Sequence, residues 1–75
     1  MTPSATSLLN TINHVLADPS ARYMLERGEL AKVAFALGHW DWVQEVFPHA
    51  DDAIYAIDAN DLAAIQDVIR HRYNA

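Results

Sequence analysis

Apolar residues recur along this chain at helical spacing, in separate runs divided by proline, glycine and aspartate. In the first run Ala5, Leu8, Leu9, Ile12, Val15 and Leu16 fall within an arc of about 120°, with Thr6, Asn10, Asn13 and His14 opposite. Thr2 as a cap and Pro3 at the first helical position predict where this helix begins. Asp18-Pro19 ends it and starts the next, because the residue before proline resists helical geometry while aspartate caps well. That second helix, Pro19 to Arg27, is expected to close at Gly28 in the left-handed conformation. Glu29 then opens a third, which runs to Leu37 and closes at Gly38.

The third helix has a different pattern. Leu30, Ala31, Val33, Ala34, Phe35, Ala36 and Leu37 leave only Glu29 and Lys32 polar, so it should be buried on nearly every side. Its alanines allow close helix approach, and Phe35 points away from the Leu30, Val33 and Leu37 face towards a neighbour. A fourth helix, from His39 or Trp40 to Phe47, spreads Trp42, Val46, Val43, Phe47 and Trp40 over about 160°, with Asp41, Gln44 and Glu45 opposite. Pro48 stops it. Residues 51 to 57 fit either a short helix or a short strand. In the last helix Asn60 or Asp61 caps, Leu62, Ile65, Val68, Ile69 and Tyr73 form the apolar face, and Arg70, His71 and Arg72 complement the dipole at the end. The pattern as a whole predicts an all-α protein: a compact bundle of about five short helices around a central apolar helix, residues 29–37, in a single domain, 1–75.

Three helix starts echo one another: Gly28-Glu29-Leu30-Ala31-Lys32-Val33, Gly38-His39-Trp40-Asp41-Trp42-Val43 and Asn60-Asp61-Leu62-Ala63-Ala64-Ile65. Within this echo, Ala34-Phe35-Ala36-Leu37-Gly38-His39, then Val43 and His49-Ala50-Asp51, resembles the middle of a single ankyrin repeat over about 20 residues. The Thr-Pro-Leu-His opening of that family is missing, and spacings of 10 and 22 residues do not reproduce its period of about 33. A solenoid also needs several stacked units. Shared capping logic explains the echo, and no functional residue is carried over from the resemblance.

Composition narrows the picture. A chain of 75 residues buries only roughly 60 to 65% of its unfolded surface, so one core and thin stability are expected. No cysteine is present to add a disulfide or a thiolate metal site, which suits a reducing, cytoplasmic setting. Met1-Thr2-Pro3-Ser4 has neither a basic segment nor a long apolar run, and no run of about 18 apolar residues occurs, so neither a standard export signal nor a membrane span is expected. The net charge is −5, and its distribution says more than its total. Between Lys32 and Arg70 there is no lysine or arginine, while Asp41, Glu45, Asp51, Asp52, Asp58, Asp61 and Asp67 all fall in that interval. Nucleic acids and anionic membranes are bound by clustered lysine and arginine, so neither is the expected partner. A basic protein surface fits this chain better.

Candidate chemistry is sparse. His14, His39, His49 and His71 lie 10 to 25 residues apart, without the spacing that sets two imidazoles on one helical face, so no metal is expected. Asp51-Asp52 and Asp58-Asn60-Asp61 read as turn and capping residues, and the stretch from Asp51 to Asp61 lacks the alternating ligands and central glycine of a calcium loop. Ser4, Ser7 and Ser20 lie among caps and turns, with no nucleophile-elbow context. Gly28 and Gly38 form no phosphate loop. Neither a cofactor nor an enzymatic activity is expected.

Two surfaces remain. A helix packed against one neighbour buries a stripe a little over about 100° wide, so the wider arc ending in Trp40 and Trp42 means contact with two elements, or with one element and a partner. Tryptophan is a frequent interface anchor, and it also completes small cores. The second surface is the acidic block, whose aspartates cap and solubilise, and which also suits an Arg- or Lys-rich groove on another protein. Trp40, Asp41, Trp42, Glu45, Asp51, Asp52, Asp58 and Asp61 are therefore the candidate partner-binding residues. The expectation is a small acidic inhibitor or adaptor acting by stoichiometric protein contact on a larger, basic protein. In type this is similar to phage-encoded inhibitors of host defence such as anti-CRISPR proteins, an analogy of size and charge. The alternative is a helical homodimerisation module whose extra apolar arc is covered by a second copy.

Overall fold

A computed structural model describes residues 1–74 of the chain. Among them it has five α-helices, α1 (Pro3–Ala17), α2 (Arg27–Leu37), α3 (Trp40–Val46), α4 (Ala50–Tyr55) and α5 (Ala59–Asn74), and a 3-10 helix at Pro19–Met24 between α1 and α2. No strand occurs among the described residues, so the protein is all-α, and residues 50–55 are helical. Helix wins there because Ala53, Ala56 and Ile57, three and four apart, all turn inwards, which a strand would not allow.

The expected punctuation holds at α1 and at the end of α2. The Thr2 hydroxyl accepts from the Ala5 amide at 3.2 Å, and Pro3 follows it. Asp18 accepts from the Ser20 amide at 3.2 Å, starting the 3-10 helix. Gly38, with φ 74°, closes α2, and the next amide, of His39, donates back to the Ala34 carbonyl at 2.9 Å. This left-handed closure satisfies carbonyls that the helix end leaves open.

Three expectations are corrected. The second helix is a 3-10 segment ending at Met24, because half-buried Leu25 takes an extended backbone to pack on the core. Gly28 therefore closes nothing: it lies in the first turn of α2, and the positive φ among the described glycines belongs to Gly38. At α5 the cap is Asp58, not Asn60 or Asp61. The Asp61 amide donates to Asp58 Oδ1 at 2.8 Å while the Asp58 amide donates to Asp61 Oδ2 at 3.3 Å, a reciprocal pair of the capping-box kind.

Packing makes α2 the centre, as its pattern requires. On one side Val33 and Ala36 meet Ala5, Leu8 and Ile12 of α1 and Ala64, Ile65 and Val68 of α5. On the other, Ala31 and Ala34 meet Val43 and Phe47, and Ala53 of α4. Phe35, Trp42 and Ile57 pack against both groups and join them. The outer ends of the expected apolar faces are not buried: Leu16 of α1, and Leu62 and Tyr73 of α5, stand exposed. The α5 arc is wider than its one seam with α1 and α2 can cover.

Candidate functional site

The two tryptophans of α3 have different surroundings. Trp42 is half-buried; the His39 imidazole stacks on it at 4.2 Å and 9°, and the Arg22 guanidinium carbon lies 4.7 Å from its ring centre. Trp40 is 45% exposed and meets Phe35 at a ring separation of 5.9 Å. The left-handed turn at Gly38 leads straight into α3, in which Val43 is buried, Trp42 half-buried and Trp40 at the rim. Arg22, which the sequence pattern does not single out, fastens the arrangement. Its Nη1 is buried with no hydrogen-bond partner, 3.4 Å from a Glu45 carboxylate oxygen, and its Nη2 donates to the Tyr23 hydroxyl at 2.7 Å.

The carboxylates also divide. Asp58 and Asp61 are committed to the α5 cap, and Asp61 lies 3.5 Å from Lys32 Nζ. Glu45 faces Arg22, and exposed Asp41 lies 3.6 Å from His39 Nδ1. Asp51 and Asp52 stand exposed in the first turn of α4, the helix end where negative charge is favourable, and have no ion-pair partner among the described residues. The fold thus keeps Asp41, Glu45, Asp51 and Asp52 on the surface of α3 and α4, while exposed Asp58 and half-buried Asp61 cap the start of α5.

A third feature adjoins the acidic residues at Asp58 and is otherwise largely apolar. A cleft of about 430 Å³ opens between α4, α5 and Phe35, lined by Ile54, Ile57, Leu62, Ile65 and Ile69, with Asp58 and Gln66 as its polar residues. Ile54 and Leu62 are exposed to solvent. The signal for it in the sequence is the width of the α5 arc, which periodicity alone reads as a single buried face.

Among the described residues, no group of three histidine or carboxylate side chains is placed to hold a metal ion, and no helix is long and apolar enough to cross a membrane. The chain has no significant match to a protein-family model, a curated protein or a solved structure.

Proposed function

We propose that the chain is a small binding protein, an inhibitor or adaptor, that contacts a larger protein with a basic surface through the acidic side formed by α3 and α4. The observation that carries this reading is the exposure of Asp41, Glu45, Asp51 and Asp52 within residues 33–69, an interval that contains no lysine or arginine. Trp40, exposed beside Asp41, offers an apolar anchor next to these charges. Complementary charge of this kind raises association rate and selects the partner, and a groove that otherwise holds nucleic acid is the sort of basic surface that fits. A phage-type inhibitor of a nucleic-acid-handling complex is the finer form of the same proposal.

The test is capture of stoichiometric partners by the tagged protein from a lysate of its native host. The same capture is then run with Asp41→Asn, Glu45→Gln, Asp51→Asn and Asp52→Asn combined. A basic partner should be retained by the parent chain, released as salt is raised, and bound on the order of tenfold or more weakly by the neutralised variant. Capture indifferent to salt and to neutralisation, or no stoichiometric partner at all, would remove the proposal.

A further inference from the structure

We infer that the apolar cleft beside α5 is covered by α5 of a second copy of this chain, the two helices running antiparallel. This inference rests on the apolar stripe of α5 and not on the charges of Asp41, Glu45, Asp51 and Asp52.

Leu62, Gln66, Ile69 and Tyr73 follow one another at intervals of four, three and four residues, which places them in one stripe along α5. Leu62 is 51% and Tyr73 77% exposed, and the stripe continues into the cleft walled by Ile54 and Ile57. The occupant is indicated by how charge is arranged along the helix. Its beginning is acidic, with exposed Asp58 and with Asp61 beside Lys32, and its end is basic, with His71 and Arg72 following the Asp67–Arg70 ion pair. A uniformly basic partner would gain at one end and be repelled at the other. An antiparallel copy gains at both, because each acidic beginning meets a basic end and the helix dipoles oppose. A twofold axis near Gln66 sets Leu62 against Ile69 of the second copy and brings the Asp58 end beside the second copy's Arg72. Such an interface is self-complementary, as a closed dimer requires.

The purified full chain is tested alone, by light scattering during size-exclusion chromatography at concentrations up to about 100 μM. The expected mass is that of two chains, with dissociation at least about tenfold easier in Leu62→Asp and in Arg72→Glu. Since the chain has no cysteine, Gln66→Cys adds a single thiol. Mild oxidation should link this variant into a covalent dimer, whereas Asn10→Cys, on the exposed side of α1, should stay largely unlinked. Arg72 and Gln66 are both exposed, so their variants decide the matter even where Leu62→Asp perturbs folding. A monomer throughout this range, a dimer indifferent to Arg72→Glu, or a Gln66→Cys variant that links no faster than Asn10→Cys would overturn the inference. Loss of the basic partner in the capture experiment would leave this result unchanged, and the reverse also holds.

Discussion

Trp42 ties three parts of the chain together through one ring: Arg22 of the 3-10 helix, His39 of the turn before α3, and the two apolar groups that meet at α2. Trp40, two residues earlier, touches Phe35 and otherwise faces solvent. Truncation should separate them. Trp42→Ala should cost about 2 to 3 kcal/mol, less than a fully buried tryptophan because part of its area is already wet, while Trp40→Ala should cost about 1 kcal/mol or less. Urea denaturation followed by circular dichroism measures both, and equal losses would show that the assignment of one ring to the core and the other to the rim is mistaken. Periodicity places both rings at the edges of the α3 arc. Which edge turns inwards is not written in that arc, because the contacts that cover Trp42 include Arg22 and core residues in different elements of the chain.

At the scale of elements, helix ends written in one or two adjacent residues are legible: Thr2-Pro3, Asp18-Pro19 and Gly38. Ends that depend on packing or on reciprocal geometry are not. Leu25 interrupts the second helix because the core holds it, and the α5 cap needs Asp58 and Asp61 to face each other. The two glycines turn this distinction into a measurement. Gly38 has φ 74°, so Gly38→Ala forces a side chain into the left-handed region and should cost about 1 to 2 kcal/mol. Gly28 lies within α2 and a Cβ there meets nothing within 4 Å, so Gly28→Ala should stabilise by about 0.5 to 1 kcal/mol. Opposite signs in thermal or urea denaturation are expected. A loss at Gly28 as large as that at Gly38 would restore the reading in which Gly28 ends a helix.

Across the whole molecule the apolar material is unevenly divided. The group formed by α1, α2 and α5 contains Leu8, Ile12, Val33, Ile65 and Val68, while the group beneath α3 and α4 rests on Val43, Phe47 and three alanines. Helix α4 is six residues long, and among the described side chains Ala53 is the one it contributes to the fully buried set. Buried apolar area sets how much free energy a local opening costs, so α4 should open without unfolding the rest, whereas α2, shared by both groups, should open only with the whole chain. Amide hydrogen exchange distinguishes these modes. The amides of Ile54 to Ala56 should be protected at least about tenfold less than those of Ala34 to Leu37, a difference of about 1.4 kcal/mol or more in opening free energy. Equal protection would mean that α4 is held by something beyond Ala53, Ala56 and Ile57. A second copy seated on the neighbouring cleft would do this, so exchange should be measured at low and high chain concentration. Protection of α4 that rises with concentration would locate the added contact at Ile54 and Ile57, and protection that stays constant while the chain dimerises would contradict a second copy seated in the cleft.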